Sequence, residues 1–195
     1  MDTWHPLAMS TTSGRGSRTN RWTSILARTR KAPTERVTPG PGQESVWDYP
    51  RPPRVEPVPE RIRVVVGGET IADTTAAVRV LETAGAPVYY LPRGDIRTDL
   101  LTVTPDHSFC EWKGLATYLD LKVGDREVPH VAWAYLTPNA GYKELADRIA
   151  FYASLVDEAW VGDEQATPQP GRYYGGWVTS RVVGPFKGEP GTEGW

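Results

Sequence analysis

The sequence predicts a mostly-β protein: one antiparallel domain with a single short helix, behind a disordered basic tail. Three observations lead there. Short β-branched runs recur from residue 62 to residue 183, glycine pairs separate several of them, and one segment alone carries helical spacing.

The elements follow in chain order. Residues 1–43 are rich in Ser, Thr, Arg, Pro and Gly, with no sustained apolar period. Such a segment buries too little to offset the entropy of ordering, so it reads as a plain disordered tail. An organelle-targeting peptide and a nucleic-acid arm are the alternatives. Residues 44–59 form a strap dense in proline, expected to run polyproline-like, with Trp47 and Tyr49 turned to one face and Asp48 to the other. Ile62–Val66 and Glu69–Ala72 flank Gly67-Gly68, the pattern of a tight hairpin whose turn needs positive φ. Ala77–Leu81 and Val88–Leu91 read as strands, and Asp95–Leu101 as a short helical turn. Phe109–Trp112, Ala116–Val123 and Val128–Tyr135 continue the strand pattern, with Gly124-Asp125 turning between the last two. Tyr142–Ala150 is the predicted helix, with Leu145, Ile149 and Tyr152 at helical spacing. Ala159–Val161 and Trp177–Val183 are further strands, and residues 184–195 a glycine-rich coil. Residues 44–195 thus make one domain.

Composition narrows the function. Seven basic residues stand against two acidic ones before Glu44, so a net charge of -2 overall leaves an acidic body. An acidic body lacks the basic footprint that phosphate backbones require, and nucleic acid is not expected as a partner. One cysteine, Cys110, excludes an intramolecular disulfide and fits a reducing compartment. No apolar run reaches the ~20 residues that span a bilayer, and no apolar leader is evident, so the expected location is the cytoplasm. Eight Trp and nine Tyr against three Phe favour aromatics with a polar handle, which suit cavity walls as well as cores.

Several segments together resemble one family. They are Glu44-Ser-Val-Trp-Asp-Tyr-Pro-Arg-Pro-Pro53, Cys110-Glu-Trp-Lys-Gly-Leu-Ala-Thr-Tyr118, Ala132-Trp-Ala-Tyr135, Pro168-Gln-Pro-Gly171, Tyr174-Gly-Gly-Trp177 and Gly184-Pro-Phe-Lys-Gly188. The chain from Glu44 to Trp195 is similar to domain-of-unknown-function family four-two-seven, sometimes labelled nucleotidyltransferase-like. The resemblance implies a tent-like β fold akin to methionine sulfoxide reductase B and the Mss-four-like (Mss4-like) metal proteins, and no established activity.

The residues test what such relatives do. Phosphoryl transfer needs paired carboxylates for Mg²⁺. The adjacent Asp157 and Glu158 would point to opposite faces of a strand, and no phosphate-binding glycine loop is present. A closed zinc site needs four Cys or His ligands, and only Cys110, His107 and His130 lie in the body. Neither a metal nor a cofactor is expected.

The richest constellation is Cys110-Glu111-Trp112-Lys113. On a strand, Glu111 and Lys113 share one face, offering a general base and a cation to an anionic substrate. The alternative is a solvated surface pair. Cys110 would lie beside Trp112, as a reactive thiolate or as a small buried hydrophobe. If the strap and the C-terminal coil meet over this strand, Arg51 and Lys187 converge with Trp47, Tyr49, Trp112, Tyr118, Trp133, Tyr135 and Trp177 around an aromatic-lined pocket. An unknown small molecule, bound there with or without catalysis, is the leading expectation. A protein-interaction module and a phosphoryl-transfer enzyme remain alternatives.

Overall fold

The structure is a computed structural model that describes residue 33, residues 35–192 and residue 195. The disorder expected for residues 1–43 therefore falls largely outside the described residues. Of that stretch, the Val37 amide donates to the Gly184 carbonyl at 3.2 Å and the Gln43 side chain to the Ser180 carbonyl at 2.7 Å.

Among the described residues fifteen strands succeed one another. The first six are β1 (Glu44–Ser45), β2 (Arg54–Pro57), β3 (Ile62–Val66), β4 (Glu69–Thr74), β5 (Val78–Leu81) and β6 (Val88–Pro92). Three long or central ones follow: β7 (Leu101–Cys110), β8 (Gly114–Val123) and β9 (Arg126–Ala134). The remainder are β10 (Arg148–Phe151), β11 (Glu158–Val161), β12 (Glu164–Gln165), β13 (Thr167–Pro168), β14 (Trp177–Val178) and β15 (Val182–Val183). A seven-stranded sheet runs β2-β5-β6-β10-β9-β8-β7, and a four-stranded sheet runs β12-β11-β3-β4. Both are antiparallel throughout; the short β1–β15 pair is parallel. The protein is mostly β, as its sequence predicts.

Strand periodicity explains the layers. In β3, Ile62, Val64 and Val66 are fully buried while Arg63 and Val65 alternate outward. Gly67 and Gly68 both take positive φ, 63° and 78°, and close the hairpin to β4. The inner face of this small sheet meets Leu91, Leu119, Leu121, Ile149 and Phe151 of the large one, forming the main core. Tyr90, Trp133, Tyr135 and Ala150 point from the large sheet's other face into a second cluster.

Five local expectations are corrected. The helix predicted over Tyr142–Ala150 is a 3-10 turn, Ala140–Leu145, followed by β10. Leu145 and Ile149 do share helical spacing, but β10 sits between β6 and β9 and its ladders on both sides outweigh local propensity. The Asp95–Leu101 turn is two 3-10 turns, Arg93–Asp95 and Thr98–Leu100. The strap is not a free polyproline run: a 3-10 turn spans Val46–Asp48, and β2 pairs with β5 as the sheet's edge, where proline is tolerated. Trp177–Val183 is two short strands rather than one.

The fifth correction bears on function. β7 ends at Cys110, and Glu111 to Lys113 form the turn into β8 rather than a strand. Gly114 closes that turn at φ 98°, where a Cβ would press on Asn139. Alternation thus does not govern Glu111 and Lys113. No helix among the described residues is long and apolar enough to cross a membrane.

Candidate functional site

One row of cross-strand neighbours on the outer face of the large sheet builds the site. The ladder aligns Val78, Tyr90, Ala150, Trp133 and Tyr118 across β5, β6, β10, β9 and β8. Ala150, the smallest of the row, leaves room between two large aromatics. Trp133 Nε1 donates to the Tyr90 hydroxyl at 3.2 Å and fixes the two rings edge to face. Tyr152 lies 4.4 Å from the Trp133 ring, and the Tyr118 hydroxyl donates to Ser108 Oγ at 2.8 Å.

Residues 168–176 and the coil around Lys187 form the roof. Buried Gln169 ties it down: its Oε1 accepts from the Ala86 amide at 2.8 Å, and its Nε2 donates to the Lys187 carbonyl at 2.7 Å. Glycine is required where the roof meets the floor. A Cβ at Gly175 would stand 2.1 Å from the Trp133 ring.

Between floor and roof lies a cavity of about 150 Å³, opening beside an outer vestibule of about 750 Å³. Tyr118, Tyr152, Gln169 and Tyr173 line both, while His130 and Arg172 belong to the vestibule. Lys113 lines the inner cavity at only 8% exposure, with Glu82 Oε2 3.9 Å from its ammonium. Glu82 in turn accepts from Arg51 at 2.9 Å. Lys187 lines the same cavity, its ammonium over the Tyr174 ring at 5.1 Å.

Burial holds the Tyr90, Tyr135 and Tyr152 hydroxyls protonated well above the ordinary tyrosine range, and at Tyr135 and Tyr152 a neighbouring phenol adds to it. These groups present neutral donors and acceptors to the cavity. Their unfolded counterparts ionise near 10. The stability they contribute is therefore complete below about pH 10 and is lost as pH climbs through the higher folded values. Alkaline titration should show tyrosinate absorbance rising together with collapse of the near-UV circular dichroism. Ionisation of these tyrosines near pH 10 with the fold intact would contradict the packing described.

The structure brings together only part of the predicted set. Lys113, Tyr118, Trp133, Tyr135 and Lys187 line the inner cavity, and Arg51 reaches it through Glu82. Glu111 is exposed on the hairpin turn and is not among the residues lining the cavity. Cys110 is half-buried, its thiol beside the Tyr90 and Tyr135 phenols behind the cavity wall. Trp112 packs against the second cluster without lining the cavity. Tyr49 is buried in a third cluster, against which Trp47 packs, its indole donating to the Pro185 carbonyl at 2.8 Å. Trp177 is fully buried in the main core, donating to the Phe151 carbonyl at 2.9 Å. Glu82, Tyr90, Ser108, Tyr152, Gln169, Tyr173 and Tyr174 were not singled out as site residues. Two of them stand in segments that the sequence marks, Gln169 in Pro168-Gln-Pro-Gly171 and Tyr174 in Tyr174-Gly-Gly-Trp177, where paired glycines beside aromatics signal a close approach.

Among the described residues no group of three or more His, Cys, Asp and Glu side chains could hold a metal ion. Asp157 accepts from Arg126 and from the Gly67 amide, which together hold its carboxyl below the usual range. Glu158 accepts from the Trp160 indole. Both carboxylates are engaged in structure.

No curated protein matches the chain. The sequence profile of the family described as "Domain of unknown function (DUF427)" matches residues 54–162, more than half of the chain, and reaches the cavity floor but not its roof. The protein belongs to the DUF427 family.

Proposed function

We propose that the domain binds a small anionic molecule in the cavity between the Tyr90–Trp133 floor and the 168–176 roof, in a cytoplasmic setting. The observation that carries this reading is Lys113: a nearly buried lysine side chain on an aromatic hollow, with Glu82, its acidic neighbour among the described residues, beyond hydrogen-bond reach. Desolvating an ammonium is costly unless acceptors replace water. An anion supplies them, and the aromatic walls supply apolar contact.

A thermal-shift screen of small anionic metabolites tests it. A ligand at a hundredfold excess over its Kd stabilises by about 2.7 kcal/mol. For a domain of this size that corresponds to roughly 5–11 °C in Tm. Lys113→Met, which keeps side-chain volume, should fold and lose the response. An equal response in that variant would remove Lys113 from the site.

A second reading has its own observation. Phe109 and Leu115 face each other across β7 and β8 at 72% and 51% exposure, beside the open edge of the large sheet. Such a patch suits a protein partner. Silence of the whole metabolite screen would favour it.

A further inference from the structure

We infer that the inner cavity selects a single-ring aromatic carboxylate, a monoanion, over phosphorylated or neutral compounds of similar size. This rests on the reading of the cavity as a ligand site and adds the ligand's chemical class. Size comes first. A void of about 150 Å³ matches the volume in which one benzene-sized ring is held in an apolar protein cavity. The walls suit a flat ring: Tyr90 and Trp133 stand edge to face below, with Tyr152 against Trp133.

Charge decides the head group. Among the described residues the charged side chains lining the inner cavity are Lys113, Lys187 and Glu82, a balance of one positive charge. One carboxylate neutralises it. A phosphate carrying two charges overshoots it and faces the Glu82 carboxylate at close range. Among the described residues no arginine lines the inner cavity to grip a phosphate with a planar fork, since Arg51 is committed to Glu82 and Arg172 stands in the vestibule. Hydrogen bonding points the same way. The Lys113 ammonium makes no hydrogen bond to a described residue, Glu82 being its 3.9 Å neighbour, and a carboxylate offers it acceptors. The ring's remaining substituent leads past Tyr118 and Tyr152 into the vestibule, so longer aromatic acids fit as well.

Isothermal titration of the full chain with benzoate, benzamide, phenyl phosphate and acetate provides the test. Benzoate is expected to bind at least tenfold more tightly than each of the other three, and Lys113→Met to lose that preference while circular dichroism stays unchanged. Benzamide binding as well as benzoate would overturn the carboxylate assignment and leave the cavity's role intact. Phenyl phosphate binding more tightly would overturn the charge balance. Acetate binding equally would overturn the ring. Failure of all four, alongside a Lys113-dependent response to another anion in the thermal screen, would overturn the class while sparing the proposed function. Failure of every small molecule would sink both.

Discussion

Trp177→Ala is expected to lower the unfolding free energy by about 3–5 kcal/mol, the usual cost of emptying a large aromatic from a core. The ring has no exposed surface, lies 5.2 Å from Tyr89, and hydrogen-bonds the Phe151 carbonyl. Its loss leaves that carbonyl without its indole donor as well as opening a void. With a urea slope of about 2 kcal/mol/M, the midpoint should fall by roughly 2 M. Trp177→Phe keeps most of the volume and should fall less, with any ligand response preserved. A change below about 0.5 M on full truncation would contradict its place in the core.

Gln169→Leu is expected to cost about 2–4 kcal/mol, because it strands the Ala86 amide and the Lys187 carbonyl in a buried setting. The effect reaches the site as well as the fold, since these two bonds join the roof to the segment before β6 and to the C-terminal coil. Hydrogen exchange at the Ala86 amide should accelerate more than at β8 amides, and ligand response should weaken. Gln169→Glu retains the acceptor and loses only the donor, so its deficit should be the smaller. Identical exchange in wild type and Gln169→Leu would mean that the roof is held by something else.

Legibility in the sequence followed the range of the interactions. The β3–β4 hairpin was readable because Gly67-Gly68 and flanking alternation are local signals. Trp133, Tyr135 and Tyr118 were readable as wall candidates because aromatic residues at strand spacing announce a shared face. Tyr142–Ala150 misled because Leu145 and Ile149 satisfy two periods at once, and only the neighbouring strands decide between them. Glu111 and Lys113 misled because the strand ends two residues earlier than its apolar content suggests, so Lys113 reaches the cavity by a turn and Glu111 does not. Glu82 gave no signal, and Gln169 none beyond its place in Pro168-Gln-Pro-Gly171. Each matters through partners thirty or more positions away, such as Arg51 for Glu82 and Ala86 for Gln169.

The Trp177 slot also sets where this domain ends as a physical object. The span that marks the family stops at residue 162, yet the plug for its core and the ceiling of its hollow come from the chain beyond. A fragment cut to that span would keep both large sheets nearly whole while leaving Tyr89 and the Phe151 carbonyl facing solvent. The self-sufficient folding unit is thus longer than the stretch by which kinship is detected.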